Sequence, residues 1–423
     1  MPKPGNLPYE GDEAALENSS AIASPLVGQS IFGGQFSPPV ALIKRSAIDH
    51  NAAWMKGFTT ATGSVLAPHG KTSMSPEIFG WQLEQGARWL TVASVAQARI
   101  ARQAGANHIL IANQVINAPD LDYLVQEMDR DDSLSVVHFV DSLAGVRLAA
   151  DAMIRNNGRR PLEVMLEVGI TGGRAGVRDL RSALEVGRAV SSAAGLALVG
   201  VAGYEGVFSP REDDAIGKVD RYLDTIVATA EACAAEGCFT GPQITLSAGG
   251  SKFFDRVAAC FSQARLDRPV EVQLRCGCYL FHDIGIYAEA MDLMAERSSV
   301  AAQLAALRPA LEIWATVQSR PEPGRAIVNM GRRDVSFDAG LPVPHMIFRP
   351  GGRRPKAISA PCTLVKLNDQ HGFLDVSPAL DLEVGDVVGF GISHPCTFFD
   401  KWDALYVIND DYVVTQIAHT CFS

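Results

Sequence analysis

Short apolar runs alternate with longer amphipathic stretches through the first two thirds of the chain. The runs are rich in Val, Ile, Leu and Ala, and several are apolar on both faces, as parallel strands covered by helices are. The stretches between them are rich in Ala, Leu, Arg and Glu, and one opens with Ser75 as a cap and Pro76 at the first helical position. The pattern therefore predicts repeated strand–helix units around a parallel sheet.

This region contains eight of these apolar runs, and we interpret each of them as a strand. They are predicted at Ser64–Ala67, Trp89–Ala93, His108–Ala112, Ser135–Val140, Leu162–Val168, Ala197–Tyr204, Gln243–Ser247 and Glu271–Arg275. The helices between them are predicted at Pro76–Gln85, Ser94–Ala104, Ser142–Asn156, Leu180–Ala194, Lys218–Ala235 and Phe253–Gln263. Eight units favour an α/β fold with a (β/α)8 TIM-type barrel over residues 46–295. A doubly wound open sheet is the alternative that a count of strands leaves open.

The pattern changes after about residue 300, where helical periodicity disappears. Turns such as Pro321-Glu-Pro-Gly324 separate short apolar runs, which predicts a separate β-rich domain over residues 296–423. At the other end, residues 1–38 are rich in Gly, Pro and Ser and predict an irregular arm. A short strand at Pro39–Ile43 follows, and Ser46 is the predicted cap of the next helix. We expect the arm and strand, residues 1–45, to join the β-rich domain.

Composition narrows the class of protein. Of the 423 residues, 47% are hydrophobic and 20% charged, as in a globular protein with a sizeable core. The net charge of −10 argues against nucleic acid or an anionic membrane as a partner. The eight cysteines include no CxxC pair, so a reducing compartment is expected. The first residues lack the apolar core of a signal peptide, and no apolar run approaches the roughly 18 residues that span a bilayer. These features together predict a soluble cytoplasmic protein.

The loops after the predicted strands carry the candidate chemistry, because barrel active sites lie at the carboxyl ends of the strands. Strand one is followed by His69-Gly-Lys71, and strand seven by Ser247-Ala-Gly-Gly-Ser251. The second loop exposes backbone N–H groups before a helix, where barrels commonly bind phosphate. A lysine facing such a loop can form a Schiff base with pyridoxal 5'-phosphate, which carries both an aldehyde and a phosphate. Taken singly, a glycine-rich loop is most often only a turn, and a lysine is most often a solvated group.

Six stretches together resemble one family. Pro68-His-Gly-Lys-Thr72 is similar to the PHxKT signature of the D-threonine aldolase/D-serine dehydratase family, which are fold type III pyridoxal-phosphate enzymes related to alanine racemase. Further matches follow in the same order, at Gly173–Gly176, Gly203–Gly206, Ser247–Ser251, Arg275–Tyr279 and His394–Cys396. The resemblance covers about residues 39–400 and looks closest to the bacterial D-serine deaminase or amino-acid deaminase branch.

The resemblance implies a role for each matching residue. Lys71 would hold pyridoxal phosphate as a Schiff base and then act as the base that removes the substrate's Cα proton. Arg174 would face the phenolic oxygen of the cofactor, and Tyr204 would lie near its pyridine nitrogen. The phosphate would be bound by residues of the last two loops, namely Ser247, Gly249, Gly250, Ser251 and Tyr279. The family's Arg-Pro-Gly-x-Tyr is here Arg-Cys-Gly-Cys-Tyr, a departure at Cys276.

His394 and Cys396 are the candidate metal ligands. In an extended segment, residues i and i+2 point to the same side, so both could bind one ion. Imidazole with thiolate suits Zn²⁺ better than harder ions. The resemblance also bears on the reaction, because the family's aldolases carry His-x-Asp at this position and its D-serine dehydratases carry His-x-Cys. This sequence has His-x-Cys, so the resemblance favours a dehydratase. A buried cysteine beside a loop histidine is the structural alternative.

These observations predict a pyridoxal-phosphate- and zinc-dependent D-serine dehydratase, which would convert a D-β-hydroxy amino acid into a 2-oxo acid and ammonia. Two alternatives remain open: a D-threonine aldolase, which would release glycine and an aldehyde, and a non-catalytic carrier of pyridoxal phosphate. By resemblance we also expect a homodimer. The substrate range, the identity of the metal and the subunit that completes each active site stay open at this point.

Overall fold

The structure, a computed structural model, describes residues 25–422. Most of the predicted irregular arm, residues 1–24, lies outside this range. The chain forms two compact units. The larger unit contains His50–Leu280 and Ile286–Leu307, and the smaller one contains the N-terminal segment up to Asp49, Phe281–Gly285 and Arg308–Ser423.

The larger unit is a (β/α)8 barrel, which confirms the fold that the strand pattern predicted. Its eight parallel strands are β2 (Val65–Leu66), β3 (Leu90–Val92), β4 (His108–Gln114), β5 (Ser135–Val140), β6 (Leu162–Glu167), β7 (Leu196–Ala202), β8 (Ile244–Ala248) and β9 (Val270–Leu274). From β3 to β9 each strand pairs with the next, and β9 pairs with β2. The sheet closes where the Arg88 N–H donates to the Leu66 carbonyl at 3.3 Å and the Thr91 N–H to the Pro68 carbonyl at 2.9 Å. Closure excludes the doubly wound open sheet.

Helices follow the barrel strands. They are α1 (Arg45–Thr62), α2 (Pro76–Glu84), α3 (Val95–Gln103), α4 (Ala118–Arg130), α5 (Leu143–Asn156), α6 (Leu180–Ser192), α7 (Ala215–Ala235), α8 (Phe254–Phe261), α9 (Ile286–Arg297) and α10 (Ser299–Gln303). Side-chain caps begin several of them; for example, the Ser75 hydroxyl accepts from the Ile78 N–H. Among residues 25–422, no helix has the length and apolar character needed to cross a membrane.

The predicted cap at Ser46 is wrong. A cap at Ser46 would start the helix at Ala47, but helix α1 begins two residues earlier, at Arg45, directly after strand β1 (Val40–Lys44). Strand pairing continues to the helix start, because the Lys44 N–H donates to the Ala310 carbonyl at 2.8 Å. Ser46 lies inside the helix, and its hydroxyl donates to the Asp410 carboxylate at 2.6 Å. The strand and helix therefore meet without the capping turn that the sequence pattern suggested.

The smaller unit is built on a ten-stranded sheet. Its later strands are β10 (Leu311–Glu322), β11 (Arg325–Val328), β12 (Val343–Phe348), β13 (Lys356–Ala357), β14 (Cys362–Leu367), β15 (Gly372–Val376), β16 (Val387–Gly391), β17 (Ala404–Ile408) and β18 (Val414–His419). Strand β1 lies between β10, to which it is antiparallel, and β17, to which it is parallel. A short helix, α11 (Cys396–Phe399), follows β16. Leu42, Trp314 and Phe348 belong to the apolar core of this unit.

Candidate active site

A cavity of about 210 Å³ lies at the carboxyl ends of the barrel strands. Residues at or after the carboxyl ends of the barrel strands line it, namely His69, Lys71, Ala93, Ala112, Asn113, Phe139, Glu167, Arg174, Ala175, Tyr204, Gly250 and Arg275. Four of the residues predicted to bind the cofactor, Lys71, Arg174, Tyr204 and Gly250, therefore line one space. This is the position at which barrel enzymes build their sites.

Lys71 stands on a tight 3₁₀ turn, Gly70–Thr72, directly after β2. The imidazole Nδ1 of His69 accepts from the Lys71 N–H at 3.4 Å and begins this turn. A side chain at Gly70 would collide with Phe79, since an added Cβ would lie 2.7 Å from its ring. Burial, with the nearby Lys71 and Arg275 cations, holds the pKa of His69 well below its usual value. The His69 imidazole is therefore neutral. The side chain of Lys71 is exposed and is attached to a backbone turn that these contacts hold in place.

Arg174 and Tyr204 contact each other across the cavity wall. The guanidinium carbon of Arg174 lies 4.8 Å from the centroid of the Tyr204 ring, within the range of a cation–π contact. The Tyr204 backbone N–H donates to the Tyr222 hydroxyl at 2.9 Å, which in turn donates to the Val168 carbonyl at 2.6 Å. Burial raises the pKa of Tyr204, so its phenol stays neutral. The pair presents one cation and one uncharged hydroxyl.

The glycine-rich loop after β8 is held in place by hydrogen bonds to buried side chains. Gly249 has a φ of +89°, in the left-handed region that favours glycine. The N–H groups of Gly249 and Gly250 donate to the Glu205 carboxylate at 3.0 and 2.6 Å. The Ser247 hydroxyl is buried and donates to Gln273 at 2.7 Å. Ser251 follows, half-buried, in the turn that leads into α8.

Tyr279 is placed apart from these residues. It is buried in the 3₁₀ turn Cys278–Leu280 and lines a second cavity, together with Gln82 and with Lys56 of α1. Burial raises the pKa of Tyr279, and the hydrogen bond with Gln82 opposes this shift. The structure thus brings Lys71, Arg174, Tyr204 and Gly250 together but directs Tyr279 toward the helices. Its assignment to the phosphate remains a prediction.

The cavity also contains charged residues that the sequence analysis did not assign. Arg275 is buried, and its guanidinium donates to the Gly203 carbonyl. Glu167, the last residue of β6, accepts from the Gln114 amide at 2.5 Å, and burial raises its pKa. Both residues stand at the ends of barrel strands, so the rule that located Lys71 could have located them too.

This set of groups fits pyridoxal phosphate. A primary amine, two guanidinium groups and a neutral phenol surround the same space. The absence of a side chain at Gly250 lets the loop approach the Tyr204 ring closely, because an added Cβ would lie 2.7 Å from that ring. An excess of cations suits a ligand that carries a phosphate. The residues present are therefore those that a phosphorylated aldehyde requires.

His394 and Cys396 contact each other in the smaller unit, although the segment is not extended as expected. Pro395 has helical backbone angles, and Cys396 begins helix α11. The hydrogen bond with Cys396, together with the Asp338 carboxylate, raises the pKa of His394 to about 9. Asp338 lies 2.6 Å from His394 Nδ1 and accepts from the Thr397 hydroxyl at 2.7 Å. A turn, rather than i, i+2 alternation, brings the pair together.

The pair resembles part of a catalytic metal site. A carboxylate behind an imidazole is the usual support of a metal-binding histidine. Within residues 25–422, however, no group of three or more His, Cys, Asp or Glu side chains is arranged to hold a metal. Two protein ligands are fewer than the three of the usual catalytic zinc sites, so water and substrate would have to fill the remaining positions.

Two family models match the chain. The model of the alanine racemase N-terminal domain matches residues 43–266, and that of the serine dehydratase domain matches residues 310–408. The D-threonine aldolase of Arthrobacter sp is 26% identical over 381 residues, which are 89% of this chain and 90% of that protein. The D-threo-3-hydroxyaspartate dehydratase of Delftia sp. (strain HT23) is 31% identical over 310 residues, 71% of this chain and 73% of the dehydratase.

Solved structures show the same fold. The D-threonine aldolase from Filomicrobium marinum superposes with a TM-score of 0.74 at 22% identity, over 93% of this chain and 97% of that one. A variant of D-threo-3-hydroxyaspartate dehydratase in its metal-free form superposes with a TM-score of 0.69 at 21% identity, over 93% and 99%. At these identities the likeness concerns the fold.

Proposed function

Because the chain belongs to the fold type III pyridoxal-phosphate family, in which an alanine racemase-like barrel is combined with a serine dehydratase domain, we propose that it is a pyridoxal-phosphate-dependent lyase of D-β-hydroxy amino acids. We propose further that it acts as a D-serine dehydratase and forms a 2-oxo acid and ammonia. The observation that carries the proposal is the single cavity in which the Lys71 amine, Arg174 and Tyr204 meet. The aldolase and dehydratase relatives support a lyase.

The chain's own residues suit the separate tasks of this reaction. Lys71 would hold the cofactor and then take the Cα proton, because the same amine stands beside the substrate once it is released. Arg174 would hold the phenolic oxygen and Tyr204 the pyridine nitrogen, with the phosphate on the Ser247–Ser251 loop. When bound, pyridoxal phosphate accepts the electron pair that the Cα proton leaves behind. The low pKa of His69 leaves its imidazole neutral beside the lysine.

His394 and Cys396 support dehydration over aldol cleavage. They would hold a divalent ion, with Zn²⁺ the best match to an imidazole and a thiolate. Such an ion would act as a Lewis acid that helps the β-hydroxyl leave. A cysteine-to-alanine variant of D-threo-3-hydroxyaspartate dehydratase has been solved in a metal-free form, which supports the proposal of a metal in the present protein.

Product analysis tests the proposal. Purified protein with pyridoxal phosphate and zinc should convert D-serine into pyruvate and ammonia, whereas L-serine should not react. Lys71→Ala should abolish the conversion and the absorbance of the bound cofactor together. Chelation should abolish turnover of D-serine, and zinc should restore it. Equal turnover with and without metal would remove the metal from the proposal.

Retro-aldol cleavage is the second candidate, favoured by the D-threonine aldolase that matches 89% of this chain. D-threonine distinguishes the two reactions, because aldol cleavage releases glycine and acetaldehyde whereas dehydration releases 2-oxobutanoate and ammonia. Glycine as the main product would replace the dehydratase assignment by an aldolase. We also propose a homodimer, which sedimentation of a monomer at micromolar concentration would contradict.

A further inference from the structure

Glu205 is a fully buried carboxylate next to Tyr204. It opens the 3₁₀ turn Glu205–Val207 after β7. Its two oxygens accept from successive backbone N–H groups of the next loop, those of Gly249 at 3.0 Å and Gly250 at 2.6 Å. One side chain thus joins the loop that carries Tyr204 to the glycine-rich loop.

The carboxylate lies on the protein side of this loop. Gly250 and Tyr204 line the cavity that contains Lys71, whereas Glu205 has no exposed surface. Burial raises the pKa of Glu205, and the Gly249 N–H and the Arg275 guanidinium act in the opposite direction. The Gly249 N–H is buried and the Gly250 N–H is partly buried. Donors in such surroundings are costly to leave without an acceptor, so the shape of the loop depends on this side chain.

We infer that Glu205 is a positioning residue, whose carboxylate fixes the Gly249–Gly250 turn from inside so that the loop meets an anionic phosphate in one preset shape. The identity of that phosphate, pyridoxal phosphate, rests on the proposed function; the fixing of the loop does not. The N–H groups of Gly249 and Gly250 are directed at Glu205.

A competing role for the same carboxylate has the opposite consequence. If Glu205 occupied the place of the phosphate, its removal would free two donors and delete a repelling charge, and the phosphate would bind more tightly. If Glu205 fixes the loop, its removal leaves two N–H groups without an acceptor, and the phosphate binds more weakly. The sign of the change in affinity separates the two roles.

The experiment compares pyridoxal phosphate with pyridoxal, which lacks the phosphate. Apoprotein of the wild type, Glu205→Ala, Glu205→Gln and Asp213→Ala is titrated with each compound and followed by absorbance. Asp213 is an exposed acid on the same connection, so its removal controls for the change in charge. We expect Glu205→Ala to weaken pyridoxal phosphate about tenfold or more and pyridoxal less than about threefold. Glu205→Gln keeps one acceptor oxygen, so its affinity for pyridoxal phosphate should lie between those of the wild type and Glu205→Ala. The affinity of Asp213→Ala should match that of the wild type.

Hydrogen exchange supplies a second readout that needs no cofactor. Amides of the 247–253 segment should exchange faster in Glu205→Ala, and circular dichroism identifies a variant that does not fold, in which case Glu205→Gln decides. Tighter binding of pyridoxal phosphate, or equal losses for both compounds, would overturn the inference. A wild type that binds no pyridoxal phosphate would overturn the proposed function instead, and the exchange of this segment would still decide the role of Glu205.

Discussion

The Asp338 carboxylate lies where it can fix the orientation of the His394 imidazole, which we propose as a metal ligand. It contacts Nδ1 of His394 at 2.6 Å, and its other oxygen accepts from the Thr397 hydroxyl at 2.7 Å. The carboxylate is therefore itself held in place. Supports of this kind order a ligand before the metal arrives and raise its basicity.

We expect Asp338→Ala to weaken zinc binding roughly 10- to 100-fold, because the imidazole of His394 would lose its orienting partner. Competition with a chromophoric chelator measures the affinity directly. Asp375→Ala, which removes an exposed acid paired with Arg325, is the matched control and should bind zinc like the wild type. Unchanged zinc affinity in Asp338→Ala would show that the carboxylate does not support a metal ligand.

Single residues of the cavity differ in how far the sequence could predict them. Lys71 and Gly250 stand out because Pro, His and Gly surround the lysine and a second glycine precedes Gly250. Arg275 stands in a matching motif, but neither it nor Glu167 was given a role, because their burial beside the cavity depends on the packing of the whole barrel. Tyr279 shows the converse, since a match in motif does not fix the direction of a side chain.

Among the elements, the strands of the barrel could be predicted best. Each is a short apolar run bounded by polar residues, and the predicted Ser135–Val140 strand coincides with β5. Helix α4 was not predicted, although Leu121, Leu124 and Met128 are buried along one face at helical spacing. The extended form expected around Pro395 failed because the short helix α11 begins within that motif.

Helix caps offer a test at this scale. The Ser142 hydroxyl accepts from the Gly145 N–H at 3.2 Å and begins α5. We expect Ser142→Ala to lower the free energy of unfolding by about 1 kcal/mol, because the first turn loses an acceptor. Ser191→Ala, in the last turn of α6, removes an exposed hydroxyl that bonds to the Arg188 carbonyl and to Cys238 but begins no helix, and it should cost less. Chemical denaturation measures the free energy of unfolding of both variants. If both lose the same amount relative to the wild type, Ser142 has no capping role.

At the scale of the molecule, segments that are distant in the chain build each unit. Strand β1 lies between β10 and β17, more than 250 residues away in the chain. Phe281–Gly285 belongs to the β-rich unit, although barrel segments flank it on both sides. The periodicity of a short stretch of sequence carries no information about pairing between distant segments. The strands of the second unit are therefore predicted less well than those of the barrel.

Glu312 links distant parts of the β-rich unit through one buried carboxylate. It pairs with Lys44 and accepts from His345 at 2.9 Å and from the Trp314 indole at 2.9 Å. Burial alone would raise its pKa, but the hydrogen bond from His345 and the charge of Lys44 outweigh burial and lower the pKa from 4.5 to about 2. Protonating this buried carboxylate is therefore destabilising, because Lys44 would lose its ion pair and the hydrogen bonds to Glu312 would lose their charged acceptor.

The pKa shift of Glu312 predicts how stability depends on pH. Because the folded-state pKa lies below the ordinary 4.5, the unfolded chain takes up the proton first, so the contribution is complete above pH 4.5 and is lost as the pH falls toward 2. The difference in unfolding free energy between wild type and Glu312→Gln should be about 3 kcal/mol at pH 7 and should shrink steadily below pH 4.5. Glu322→Gln, at an exposed position of the same strand, should show no such convergence. Denaturation curves at several pH values measure the difference, and a gap that is independent of pH would show that the charge of Glu312 does not stabilise the fold.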